Sequence, residues 1–167
     1  KKKGNEKRSG IIMKLLMEQW RGYINEAEEE EAFDRFLEKT FGKIDIIINN
    51  AGVTHLPTPL DEISEEDFDR VFNVNCKSVY LMAKSFVPDM KVRKGGVILN
   101  VASTAGVSPR PNLNWYNSSK GWMNTATKTM AVELAPFGIR VNAVNPVAGE
   151  TPLLASFMGE DTPEIRQ

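Results

Sequence analysis

From Ile24 onward the apolar positions switch repeatedly between a helical and a strand period. Residues 27–41 place Phe33, Phe36, Leu37 and Phe41 at helical spacing, with glutamates early and Lys39 late, the order a helix dipole favours. The Glu28–Glu31 run reads as a solvated first turn, and Gly42 stops the helix. Ile44–Ile48 follows as a β-branched run that is largely apolar on both faces, the pattern of a parallel strand covered on both sides. After a loop over Asn49–Ile63, Ser64 is placed to cap a helix that opens on Glu65-Glu66-Asp67. Phe68, Val71, Phe72, Val79, Met82 and Phe86 extend it as one long helix over 65–87, before Pro88. Gly95-Gly96 introduces a second strand, Val97–Val101. A Ser/Gly/Pro-rich loop, a helix over 114–135 and a third strand, Ile139–Val144, complete the pattern. From Pro146 the chain reads as loop with one short helix near Leu153–Phe157, and there is no internal repeat.

Alternating strands and helices with nearly continuous apolar strands predict an α/β fold. About three central strands form a doubly wound parallel sheet, flanked by helices on both faces and joined by right-handed crossovers. Ligands of such sheets bind beyond the carboxyl ends of the strands. That rule singles out Asn49–Thr54, Ala102–Ser108 and Asn145–Thr151, all rich in small and polar residues, as a site that hugs a cofactor with its backbone requires.

Composition narrows the function. The 167 residues carry 21 basic and 22 acidic side chains, a formal charge of −1, which gives no Lys/Arg surplus for neutralising phosphates and argues against nucleic acid as a partner. The length predicts about one domain. The single cysteine, Cys76, excludes an intramolecular disulfide framework and any multi-cysteine metal centre, no metal site is expected, and a reducing, cytoplasmic setting fits. No stretch has the roughly 20 apolar residues a membrane span needs. Lys1–Arg8 followed by Ile11–Met17 has the outline of a signal peptide. Lys14 and Glu18 break its apolar run and no small-residue cleavage site follows, so a basic tail with a short amphipathic helix is the better reading.

The chemistry-bearing feature is Tyr116-Asn117-Ser118-Ser119-Lys120. On a helix, i and i+4 share a face, so a phenol and an ammonium become neighbours. A fixed cation favours the phenolate, which suits general acid/base work near neutral pH. Alone, this spacing more often describes a tyrosine stacked with a lysine stem. Here Asn49-Asn50-Ala51-Gly52 directly follows an apolar strand, Asn100–Gly106 closes the next, and Ser103 lies upstream of Tyr116. Other candidates are weaker. His55, the only histidine, is expected as an exposed loop residue; Cys76 as a small packing residue; Trp115 and Trp122 as packing, with Trp115 a possible pocket wall. The sequon at Asn117 lies inside the helix and is discounted.

Together with Asn75 in Asn73-Val74-Asn75 and the Pro146–Thr151 segment, these motifs resemble the short-chain dehydrogenase/reductase superfamily. They come nearest to its 3-oxoacyl-carrier-protein reductases and glucose-dehydrogenase-like members. The resemblance covers residues 24–167 and sets 1–23 apart as a basic, amphipathic segment outside it. It implies a partial Rossmann-like sheet and an oxidoreductase that interconverts an alcohol and a ketone by hydride transfer with NAD or NADP. By resemblance, Tyr116 is the acid/base, Lys120 lowers its pKa and bonds the nicotinamide ribose, and Ser103 holds the substrate oxygen. Asn75 anchors a water that relays protons from Lys120. Asn50, Ala51 and Gly52 lie against the cofactor's ribose side, where glycine allows close approach; Pro146 and Thr151 lie near its phosphates or carboxamide. The long helices, 65–87 and 114–135, imply a homo-oligomer.

Two departures qualify these expectations. Val147 follows Pro146 where the family usually has glycine, although Gly149 comes two residues later. Gly4, Gly10 and Gly22 are isolated, so the glycine-rich fingerprint that seats a pyrophosphate is absent from these residues. The sequence therefore reads as truncated at both ends and as binding NAD(H) or NADP(H) weakly on its own. Ile11–Trp20 is a candidate cover for the apolar edge of the first strand. A non-catalytic remnant acting as an oligomerisation or partner-binding module is the alternative, and an extended-family epimerase or dehydratase, which shares Tyr-x-x-x-Lys, fits the Asn-Asn-Ala-Gly and Ala-Ser-Thr-Ala-Gly segments less well.

Overall fold

A computed structural model describes residues 43–147. The helix expected over 27–41, the segment Ile11–Trp20, the short helix near Leu153–Phe157 and Thr151 lie outside the described residues. Strand β1 (Ile46–Asn49) is followed by helix α1 (Glu65–Phe72), one wide turn (Asn73–Lys77) and helix α2 (Ser78–Arg93). Strand β2 (Gly96–Val101), a 3-10 turn (Thr104–Gly106), helix α3 (Asn114–Leu134) and strand β3 (Ile139–Val144) complete the order. The strands form one parallel sheet in the order β1-β2-β3. The parallel α/β class expected from the alternation is the observed one.

The register aligns Ile47, Ile98 and Val141 across the three strands, and all three are buried. Their neighbours Ile46 and Ile48 are 61% and 60% exposed, and Arg140 and Asn142 also face out. Among the described residues, then, the helices cover one face of the sheet, not both. The topology explains it: strand order equals chain order, so two right-handed crossovers running the same way put both helical connections on one side. β1 consequently alternates in burial although its sequence is apolar throughout.

Local chemistry sets the helix ends. Ser64 caps α1 as its sequence predicts, its hydroxyl accepting the Asp67 N–H at 3.1 Å. Asp67 in turn takes Arg70 at 2.6 Å on the helix surface, and that guanidinium holds its carboxyl below the usual range. The expected single helix 65–87 is not continuous. At Asn73–Lys77 the hydrogen bonds widen by one residue, with the Ser78 N–H bonding to the Asn73 carbonyl. Nor does Pro88 end it: α2 runs through to Arg93, where Lys94 turns left-handed. An interior proline costs about 3 kcal/mol, and burial of Phe86 and Met90 on either side offsets that cost. Arg93 then ties the end of α2 to the entry of β1, with Asp89 at 2.8 Å, Asp45 at 2.9 Å and the Ile44 carbonyl at 2.6 Å.

A polar chain also crosses this core. Asn49 Nδ2 donates to Asn100 Oδ1 at 2.7 Å, and Asn100 Nδ2 donates to Thr127 Oγ1 at 2.8 Å. The Thr127 hydroxyl donates back into α3 at the Met123 carbonyl, 2.7 Å away. Asn49 and Asn100 are register partners. The last residue of β1 is thus locked to β2 and through it to α3, which fixes the strand exits relative to the helix carrying Tyr116.

Candidate active site

The exits of β1 and β2 converge on the first two turns of α3. Ser103 leaves β2 in an extended conformation and caps the 3-10 turn, its Oγ accepting the Ala105 N–H at 3.1 Å. With that lone pair used, the hydroxyl proton is directed elsewhere, and Ser103 hydrogen-bonds the Tyr116 phenol. Both residues are buried, as is Lys120 one turn further along. Lys120 Nζ donates to the Val101 carbonyl at 2.9 Å and lies 5.9 Å from the Tyr116 ring centre. The structure therefore brings Ser103, Tyr116 and Lys120 together: helical spacing implies the last two as neighbours, and the resemblance adds Ser103.

Electrostatics at the site follow from burial. Loss of hydration holds the Tyr116 phenol above its ordinary value, an effect the Ser103 hydrogen bond opposes. The same loss pushes the Lys120 ammonium down to about 8. Burial also pushes the Cys76 thiol up to about 11, which leaves it a packing residue with its Sγ 3.8 Å from the Ser119 carbonyl.

Asn75 reaches the site because of the widened turn between α1 and α2. It is fully buried; its Oδ1 accepts the Val53 N–H at 2.9 Å, and its Nδ2 donates to the Val53 carbonyl and to Ser119 Oγ, each at 2.9 Å. Ser119 Oγ donates to the Tyr116 carbonyl at 2.7 Å. One amide thus clamps the loop after β1 to the back of the Tyr116 turn. Single wide turns inside helices recur at functional sites because they re-aim a side chain in this way.

Glycine makes the close approaches possible. A Cβ on Gly106 would lie 2.6 Å from the Lys120 carbonyl carbon and 2.7 Å from the Gly121 nitrogen, so the β2 exit touches the α3 backbone at Lys120 itself. A Cβ on Gly52 would lie 3.3 Å from Lys120 Nζ and 3.6 Å from Asn75 Oδ1. Ala51 and Gly52 are half-buried beside this point and Asn50 is exposed. The Pro146 carbonyl accepts both the backbone N–H and the hydroxyl of Thr104, at 3.1 and 3.3 Å, which brings the β3 exit against that of β2.

Some features lie beyond what the sequence motifs indicated. Ser119, Gly106 and the Asn49–Asn100–Thr127 chain hold the site together without belonging to it; an asparagine inside the otherwise apolar run Val97–Val101 is the signal for the last. His55 is not exposed but 1% accessible. Asn75 fixes Val53, and Arg70 holds the Thr54 carbonyl at 3.3 Å, so the chain turns inward at the next residue. His55 Nδ1 donates to the Leu56 carbonyl at 2.7 Å and its Nε2 is buried without a partner. Trp115 packs edge-on against Phe68 with ring centres 5.2 Å apart.

A parallel sheet whose strand exits meet a buried Ser–Tyr–Lys cluster is an α/β domain of the kind that binds ligands beyond the carboxyl ends of its strands. The chain belongs to the short chain dehydrogenase family, whose model matches residues 15–161. It is 50% identical over 127 residues to 4-formylbenzenesulfonate dehydrogenase TsaC1/TsaC2 of Comamonas testosteroni, covering 75% of this chain and 50% of that protein. Against the 3-oxoacyl-[acyl-carrier-protein] reductase FabG of Thermotoga maritima it is 41% identical, covering 74% and 50%. The solved 3-ketoacyl-(acyl-carrier-protein) reductase of Brucella melitensis, complexed with NADH, superposes with a TM-score of 0.75 at 48% identity, covering 80% of this chain and 57% of that one. The chain spans about half the length of the curated relatives it matches. Among the described residues no helix is long and apolar enough to cross a membrane.

Proposed function

We propose that these residues carry the catalytic portion of an NAD(P)-dependent oxidoreductase that interconverts an alcohol and a ketone, with Tyr116 as general acid/base. The hydrogen bond from Ser103 to the Tyr116 phenol carries this reading, because it sets two hydroxyls side by side where one substrate oxygen can meet both. When bound, the nicotinamide supplies the hydride donor or acceptor. Ser103 holds the substrate oxygen, and Tyr116 gives it a proton during reduction or takes one during oxidation. Burial of the cluster limits water at the phenol.

The residues present fit the ribose side of such a cofactor. An ammonium has three donors, and Lys120 spends one on Val101, leaving two for a diol. Gly52 keeps the adjoining space free of a side chain, beside Asn50 and Ala51. Asn75 retains one Oδ1 lone pair close to the same point, which suits the water of a proton relay from Lys120. Pro146 and, beyond the described residues, Thr151 complete the cofactor side. Related structures bound to NADH, NAD+ and NADP support a nicotinamide dinucleotide without selecting between the two forms. The dehydrogenase and reductase names of the relatives favour this reading over a non-catalytic module.

A homo-oligomer fits as well: α2 and α3 form an apolar groove lined by Val79, Ala83, Val87, Trp122, Ala126 and Met130, with Tyr80 exposed at its side. A cytoplasmic location accords with the free, buried Cys76. The function is tested by following reduced-nicotinamide absorbance with a panel of ketones. Ketone-dependent loss of absorbance supports the reading; its absence across the panel, on a sample shown by fluorescence to bind NADH or NADPH, contradicts it.

A further inference from the structure

We infer that Arg110 determines substrate class, drawing ketones or alcohols that carry a carboxylate or comparable oxyanion to the mouth of the Ser103–Tyr116 site. The inference rests on the dehydrogenase reading for the reacting oxygen but not for the anion site itself.

Arg110 lies in the loop Val107–Leu113, which joins the turn capped by Ser103 to the start of α3, two residues before Tyr116. That loop is held at both sides. Asn117 Nδ2, on the residue after Tyr116, donates to the Arg110 carbonyl at 2.7 Å. The Asn112 carbonyl accepts the Thr58 N–H at 2.9 Å, which ties the loop to the β1 exit, and Asn112 adopts a φ of 61° at this point. Pro109 and Pro111 flank the arginine and fix φ on either side. The backbone of Arg110 is thereby set at the rim of the site with little freedom of its own.

Charge points the same way. Along Asn49–Leu60, Val101–Trp115 and Asn145–Val147, the three strand exits as far as they are described, there is no carboxylate, and Arg110 is the one Lys or Arg. Lys120, on α3, is a second cation, buried. The first carboxylates, Asp61 and Glu62, come in the turn leading away to α1. Arg110 is exposed and makes no ion pair among the described residues. The first turn of α3 has no acidic residue and no side-chain cap, so its positive end adds to the same potential. Where the described strand exits hold no carboxylate, a guanidinium can take an oxyanion through two parallel hydrogen bonds and raises its local concentration.

The test compares acetoacetate with its methyl ester, the same ketone with and without the charge, on the protein and on Arg110→Gln and Arg110→Lys. Loss of one charge-assisted contact of this kind raises KM for acetoacetate about tenfold in Arg110→Gln with kcat unchanged. The ester is expected to be unaffected and Arg110→Lys to recover part of the loss. Equal losses for acid and ester, or no loss for the acid, overturn the inference. A second arm follows benzoate and benzamide binding through tryptophan fluorescence, Trp115 being adjacent to Tyr116. If neither ketone turns over, the hydride-transfer reading is left to the ketone panel, and this arm alone decides Arg110. An Arg110-dependent benzoate affinity, with benzamide unchanged by the substitution, then supports the anion site. Benzoate binding that ignores Arg110, or none, removes it.

Discussion

Asn75 and Val53 form a two-way clamp: the Val53 N–H enters Asn75 Oδ1 and the Asn75 amide returns to the Val53 carbonyl, both at 2.9 Å. The pair joins residues far apart in the chain, and a third bond from the same amide reaches Ser119 behind Tyr116. Asn75→Ala removes all three and strands a partly buried N–H. Each such bond contributes about 1 kcal/mol net, so a loss of about 2–3 kcal/mol is expected in urea unfolding. A change below about 0.5 kcal/mol would show that the clamp is dispensable to the fold.

Gly106 touches the α3 backbone at Lys120, where a methyl group has no room. Since backbone has to move to admit it, Gly106→Ala is expected to destabilise by about 1–3 kcal/mol. It should also shift Lys120 away from the Val101 carbonyl. Gly95→Ala, at a position with open space, serves as the control, and equal stability of the two variants would refute the contact.

Thr127 terminates the polar chain that locks β1 to β2 and α3. Thr127→Val keeps the shape but leaves Asn100 Nδ2 buried without its acceptor, at an expected cost of about 1–3 kcal/mol. The double variant Thr127→Val with Asn100→Leu removes both partners. Measured by chemical unfolding, it should lose less than the two single variants summed; strict additivity contradicts the coupling.

Lys120 makes stability depend on alkaline pH. Its folded pKa of about 8 lies below the 10.5 of the exposed group, so between these values the unfolded chain binds more protons and stability rises with pH. The gain is on the order of 3 kcal/mol and is lost again as pH falls through 8. Tyr116, shifted upward, acts oppositely above pH 10 by favouring the unfolded, ionised form. Unfolding of Lys120→Met should show a flatter rise from pH 8 to 10 than the parent protein. Parallel curves would mean that Lys120 is not desolvated.

The strands, the start of α1 and the span of α3 were legible within one or two residues because their signals are local: β-branched runs, paired glycines, a serine cap and helical periodicity. The Tyr116–Lys120 pair was legible for the same reason, since helical spacing fixes it, while Ser103 was placed beside it by the family resemblance. What escaped depends on distant partners. The wide turn at Asn73–Lys77 accompanies the bonds of Asn75 to Val53 and Ser119, and no local pattern announces it. His55 is buried because Val53 and Thr54 are held from the side by Asn75 and Arg70. Pro88 stays helical because apolar burial around it outweighs its own preference. The exposed face of β1 followed from strand order, which apolar periodicity does not encode.

The acid/base assignment is tested most directly by turnover of Tyr116→Phe, with binding of the reduced nicotinamide measured on the same sample by fluorescence. The substitution deletes one oxygen and retains the ring packing. Turnover is predicted to fall by about 10²–10⁴-fold while cofactor affinity stays within a few-fold of the parent. Turnover that survives at the parent rate would contradict the role of Tyr116 and the function built on it.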